Sequence, residues 1–478
     1  MKFNKSKLLF IAAGCLLTAG LTACKKDRLD PIPQTSISEA NAFASADRIQ
    51  QQVFGVYAAA KSGQFLGGRG IVYNDVRGED WINITGNGVT AAGVWNFSLV
   101  SSDNQVENYW NAGFQAINRA NIVLNGLDAN PSTLPVNLAN NYRGEVRFVR
   151  AISYFYLLSL YGRLPFNADQ GASPGLPLRL TANLTAPAGS ASLARSTVAD
   201  VYKQILTDLD FAEQNLPLSY GAVGDSNVVR AHKNATIAFK TRVYLHMNRF
   251  DDVIREADKL VPLAPAYQAP TGVRNRLEPG ILPVFRQYTA LESIFSFPMN
   301  NNNPPGVQNG LSLYHNAEFA LNPLGILGNA QFTATDARRT NFVTSSTPIR
   351  YSKFNDDLNN YVPIIRYSEV MLNLAEALAR RDAVLNVRAL TLLNAVHQRS
   401  NPTGTLVATT KTQLIDIILT ERRIEFLGEG LRSLDIMRLV QPFPAKGSVS
   451  AVPTSSVTYV WPIPASELLY NTLAKQNL

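Results

Sequence analysis

Apolar residues recur at helical spacing along most of this 478-residue chain, and the helical stretches follow one another in pairs with short joints. A chain patterned this way buries its stripes by packing helix on helix. Residues 142–161 are the most apolar stretch. Val149, Ile152, Tyr156 and Leu160 form one stripe, SYFYLLSLY widens it, and Gly162 and Pro165 end it. That width is expected of a central, buried helix. Further helices are expected over 46–61 (Ser45 as N-cap), 106–127, 198–215, 231–247, 250–260, 366–381, 387–400, 411–427 and 431–439.

The joints suggest tetratricopeptide-like repeats. Ala235, Phe239 and Tyr244, the joint Asn248-Arg249 and then FDDVIREADKL read as the second helix of one repeat running into the next. AEALARRDAVLNVRALTLLNAV repeats that shape, although the Trp/Leu/Gly start and terminal Pro of such repeats are not intact. Two segments lack sustained helical period: 63–104, rich in Gly, Asn and aromatics, and 261–363, which contains NNNNPPG. Loops of that length inside a compact domain usually serve binding.

Both cysteines, Cys15 and Cys24, lie in the first 24 residues. This excludes a disulfide framework, a thiol nucleophile and thiolate metal sites from the body. Four dispersed histidines without HExxH give no zinc site, and no metal or cofactor is expected. The formal charge of +8 includes Lys2, Lys5 and Lys7, and no basic block carries interleaved aromatics, so nucleic acid is not an expected partner.

The start itself is an address. MKFNKSK is a basic n-region, LLFIAAGCLLTAGLTA a short apolar run, and small residues precede Cys24. Leu21-Thr22-Ala23-Cys24 resembles the bacterial lipobox, in which the cysteine is lipidated and becomes the mature N-terminus. Residues 1–23 then form the signal peptide. Residues 24–38, with Pro31 and Pro33, form a tether. No other segment reaches the ~18 apolar residues of a membrane span.

In the last third the motifs take a recognisable order. RYSEVMLNLAEAL (366–378), ERRIEFLGEGLRSLDIMRL (421–439) and WPIPASELLYNTLAKQNL (461–478) resemble the SusD/RagB family of outer-membrane nutrient-binding lipoproteins. RFVRAISYFYLLSLYGRLP (147–165) and LTACKKD fit the same family's early regions. The resemblance implies a mostly α fold of tetratricopeptide-like helix pairs. These would form a right-handed superhelical body with a loop-rich ligand-binding lobe. The scaffold would span 39–62, 105–262 and 364–440, the lobe 63–104 and 263–363, and a C-terminal segment 441–478. It further implies a lipid-anchored protein facing the cell exterior. Such a protein binds glycans, or in some branches peptides, and works as a lid on a TonB-dependent SusC-like barrel without catalysis.

The lobe supplies candidates for ligand contact. A sugar's C–H face lies flat on an aromatic ring while its hydroxyls need amide or charged partners. Tyr73, Asp75, Arg77, Trp81, Trp95 and Asn96 combine both chemistries in one segment, with Asn74 among them. Tyr314 and the run 300–303 offer an opposing arm. The competing reading is that Trp81 and Trp95 fill the lobe's own core. Trp110 and Trp461 are expected to pack. Glu79-Asp80-Trp81 is the most glycosidase-like triplet, but adjacent carboxylates seldom flank one bond. Glu421 falls on the apolar face of its helix, which calls for an arginine partner such as Arg432 or Arg438. Asp435 is expected in a helix-surface pair with Arg432 or Arg438.

Overall fold

The computed structural model describes residues 39–184, 192–221, 225–355 and 361–477; the leader, the tether and Cys24 lie outside the described residues. Its helices follow the periodicity. The first long helices are α1 (Ala46–Ala60), α2 (Arg69–Val76), α3 (Asn104–Ala129), α4 (Val136–Tyr161) and α5 (Val198–Asn215). After them come α6 (Lys233–His246), α7 (Phe250–Ala257), α8 (Tyr367–Arg381), α9 (Val387–Ser400), α10 (Lys411–Glu425), α11 (Arg432–Arg438) and α12 (Ala465–Tyr470). Side-chain caps start several of them: Ser45, Thr197, Asn386 and Thr410 each accept a backbone N–H of the first turn. Each such cap contributes about 1 kcal/mol.

Helix α4 is the hub. It packs against α1, α3 and α5, and nearly every residue from Tyr142 to Tyr161 is buried. It begins earlier than its apolar pattern, directly after Pro135, because its first turns are polar and face outward. The stack continues from α5 to α6, α7 and α8, and α8 holds both α9 and α10. The mostly α fold is therefore a series of consecutively packed helix pairs.

The lobe is more structured than its composition suggested. GRGIVYNDV contains α2, all eight of whose residues are buried. A helix buried on every side has no amphipathic stripe, so its period is invisible in the sequence. Two short antiparallel sheets tie the irregular segments together. β1 (Trp81–Asn83) pairs with β3 (Phe319–Leu321), and β2 (Ser293–Pro298) pairs with β4 (Tyr361–Arg366), which runs directly into α8. Gly430, at φ +74°, lets the turn between α10 and α11 press on α2; a Cβ there would sit 2.9 Å from the Ile71 backbone.

A buried ionic lattice joins lobe to scaffold. Arg338 contacts Asp336 at 2.6 Å, Glu421 at 2.5 Å and Glu425 at 3.0 Å. Glu425 also takes Arg399 at 2.6 Å and Arg366 at 3.1 Å. Arg366 reaches Glu292 at 2.8 Å and Glu429 at 2.7 Å, and Lys353 joins Glu429 at 2.8 Å. The expected arginine partner of Glu421 is thus Arg338, a lobe residue far away in sequence, together with His397 Nδ1 at 2.8 Å. Asp435 pairs with Arg438 at 2.8 Å and Arg422 at 3.1 Å. It is buried rather than at the surface, because α11 is covered.

These carboxyls set the acid response. Burial alone would raise Glu421, but Arg338 and His397 hold it down at about 2. Glu425, Asp435 and Glu376 are likewise lowered: their arginines outweigh burial. Asp75 and Glu292, raised by burial, pull the other way. For the lowered group the unfolded chain takes up protons first, from about pH 4.3. The stability they contribute is complete above that value and is lost as pH falls toward 2. Scanning calorimetry should show Tm dropping steeply between pH 4 and pH 2. A level Tm across that window would mean the lattice contributes nothing to stability.

Candidate functional site

The structure places the lobe candidates inside, with one exception. Trp81 is 0% exposed and stacks on His315, centroids 4.7 Å apart and planes 17° from parallel. Trp95 donates its indole N–H to the Trp81 carbonyl at 2.7 Å. Tyr73 accepts from Arg69 at 3.3 Å and packs against Trp461. Arg77 is buried over the Phe443 ring, with N–H bonds to Ser433 and the Tyr459 carbonyl. Asp75 is buried 3.8 Å from His315, and burial pushes its carboxyl up. Tyr314 donates to the Gln308 carbonyl at 2.9 Å and is fully buried. Only Asn96 is exposed, and its side-chain oxygen accepts from the Ser98 N–H and hydroxyl.

The expectation that these residues face a ligand is therefore corrected: all but Asn96 fill the lobe's interior. The physical reason is α2 and the two small sheets, which give the aperiodic aromatics a core of their own. Glu79 and Asp80 are also committed. Arg432 and Arg423 grip Glu79 at 2.5 and 3.1 Å, while Asp80 accepts from Arg423 Nε at 2.8 Å and the Ile326 N–H at 2.7 Å. The exposed 300–303 turn is held by Asn300, whose side chain accepts from the N–H groups of Asn302 and Asn303.

An open concavity of about 1170 Å³ lies elsewhere, against the first half of α3. Asn108, Asn111, Gln115, Asn118 and Asn121 follow at steps of three and four along that helix. Each three-residue step lags a full turn by about 60°, so the row winds inward. Asn108, Asn111 and Gln115 are exposed, Asn118 is half-buried and Asn121 is buried.

The inner end of the row already holds chain. Asn118 exchanges two bonds of 2.9 Å with the backbone of Asn183, one given and one taken. Asn121 donates to the carbonyls of Arg179 at 2.9 Å and Thr181 at 3.2 Å. Its oxygen accepts from Arg150 at 2.7 Å. The strap 179–183 is thereby laid along α3 and forms one wall. The other wall is α12, tied to α3 by the Ser466 N–H on Glu107 at 2.9 Å and to the strap by Arg179–Glu467 at 3.0 Å.

Aromatic surface completes the groove. Trp110 is nearly buried and, as expected, packs, 4.9 Å from Tyr161. Phe114 lies against it at 4.7 Å and remains half-open, and Tyr470 on α12 is 59% exposed. Sequence reasoning missed this groove. A signal was available: the solvent face of α3 carries amides where Lys and Glu would support a helix better. Among the described residues no His, Cys, Asp or Glu group is arranged to hold a metal ion.

The stacked-helix body thus carries an open groove of amides and aromatic rings. Residues 29–245 match the family described as "Starch-binding associating with outer membrane", and residues 329–447 match the SusD family. A SusD superfamily structure from Bacteroides fragilis is 31% identical with a TM-score of 0.80, covering 91% of this chain and 99% of its own. A laminarin-binding SusD-like protein aligns with a TM-score of 0.71 at 19% identity, over 91% of this chain and 99% of its own. SusD-like protein P2 of Formosa agariphila is 23% identical over 99% of both chains. The chain belongs to the SusD/RagB family.

The corrected role of Trp81 is directly testable. Trp81→Ala should destabilise the protein by about 3–5 kcal/mol, as deletions of large buried rings do. It should leave ligand affinity per folded molecule unchanged. Denaturant unfolding and calorimetric titration on the same variant measure both. Unaltered stability with weakened binding would return Trp81 to the ligand surface.

Proposed function

We propose that this protein is a lipid-anchored outer-membrane protein that binds a glycan and delivers it to a TonB-dependent SusC-like barrel, without itself catalysing a reaction. The observation that carries glycan binding is the α3 groove. Amides can both donate to and accept from hydroxyls, and they stand beside rings suited to a sugar's C–H face. The laminarin-binding relative shares the fold. Family membership supports the outer-membrane setting and the barrel partner.

Chemistry argues against hydrolysis. Glycoside cleavage uses two carboxyls about 5–10 Å apart. Among the described residues that line the groove Glu467 is the one acidic residue, and Arg179 holds it. The Glu79–Asp80 pair is closed off by Arg423 and Arg432. One observation favours a second reading, an extended peptide as ligand: Asn118 and Asn121 already bind backbone of the chain's own strap.

Anchoring and partnership are checked together in the native host. The wild type should fractionate with the outer membrane and co-purify with a large barrel in mild detergent. Cys24→Ala should leave the membrane fraction and lose its acyl chains. An acylated, membrane-bound Cys24→Ala protein would refute the anchor, and repeated recovery of the wild type without a barrel would refute the partnership.

A further inference from the structure

We infer that the α3 groove is a site for an uncharged glycan bound in extended form. The glycan would lie along Asn108, Asn111 and Gln115 with Phe114 and Tyr470 against its rings. This rests on the glycan-binding reading and adds the place and the chemical class.

The first argument is charge. Among the described lining residues the one acidic group, Glu467, and the one cation, Arg179, meet at 3.0 Å and neutralise each other. An acidic glycan would bring carboxylates against amides and apolar surface with no cation left to compensate them, and desolvating an unpaired charge is costly. A hydroxyl-rich neutral chain meets no such penalty.

The second argument is direction. The exposed amides of Asn108, Asn111 and Gln115 extend over about 10 Å of helix at 1.5 Å per residue. They continue the row whose inner members, Asn118 and Asn121, hold the strap alongside the helix. A ligand that pairs with successive amides must therefore run along α3 rather than enter end-on. The third argument is an acceptor already in place. Gln64 lines the groove, and its Oε1 is buried without a hydrogen-bond partner among the described residues. A buried acceptor is satisfied by a hydroxyl group of the kind a sugar presents.

The test is calorimetric titration of the purified protein with neutral glycans (laminarin, xylan, galactomannan) and acidic ones (polygalacturonate, alginate). It is repeated on Asn111→Ala/Gln115→Ala and on Tyr470→Ala. These side chains are exposed, so Tm should match the parent, which unfolding scans verify. We expect binding of at least one neutral glycan and none of the acidic ones. The double variant should weaken it about tenfold, the size of two neutral hydrogen-bonding groups, and Tyr470→Ala severalfold. Neutral binding that both variants leave unchanged overturns the groove while glycan binding stands. Acidic glycans bound in a variant-sensitive way overturn the uncharged class alone. Failure to bind any of the glycans, or capture of an unstructured polypeptide instead, overturns the underlying reading with it.

Discussion

The lattice around Arg338, Arg366, Glu425 and Glu429 decides how the irregular half of this protein sits on the helical half. Its cations come from the lobe, from the end of β4 and, with Arg399, from α9, and three of its anions come from α10 and the turn that follows. Ions buried this deeply lose several kcal/mol of hydration each, and only close multidentate geometry restores it. That penalty makes the arrangement specific. Were the lobe displaced, Arg338 would leave Glu421 with His397 alone and Glu425 with only Arg399 and Arg366, so intermediate placements are disfavoured. Arginine suits the role because its planar fork serves several carboxylates at once: Arg338 reaches Asp336, Glu421 and Glu425 together.

The same constraint explains what was legible in the sequence. Helices 198–215 and 387–400 were readable to the residue because each is one-sided and opens on a capping Thr or Asn. The packing of one helix pair on the next followed from the short joints. The need of Glu421 for a partner was also legible, since it shares a face with Leu414 and Ile418. Its identity was not. Arg338 lies 83 residues away, and only the fold brings it near.

The lobe was misread for a related reason. Gly, Asn and Asp among aromatics look like an open loop when no period is visible. Here period vanishes because α2 is buried on all sides, and several of its polar groups are held by internal partners. Asn74 donates to the Gly70 carbonyl at 2.9 Å, and Lys446 reaches the carbonyls of Val76, Arg77 and Gly78. Composition reports which chemistries are present and says nothing of whether they are already spent on each other. The α3 groove is the converse case. Its amides sit in a regular helix, so they read as an ordinary solvent face, yet among the described residues no side chain or backbone group hydrogen-bonds the outer three.

The groove's shape traces back to the scaffold through one orientation. Arg150 of α4 is held by Asp208 of α5 at 2.7 Å, and its other terminal N–H donates a hydrogen bond to the Asn121 oxygen. An amide whose oxygen is taken by a guanidinium must present its NH₂ the other way, toward the carbonyls of Arg179 and Thr181. That fixes the strap, and Tyr154 of α4 fastens the Arg179 carbonyl again at 2.9 Å. The strap in turn places the Arg179 side chain where Glu467 meets it, which holds α12 and sets the groove's far wall. A wall fixed by the packing of α4 on α3 and α5 need not be ordered when a ligand arrives, so less of the binding energy is lost to immobilising the site.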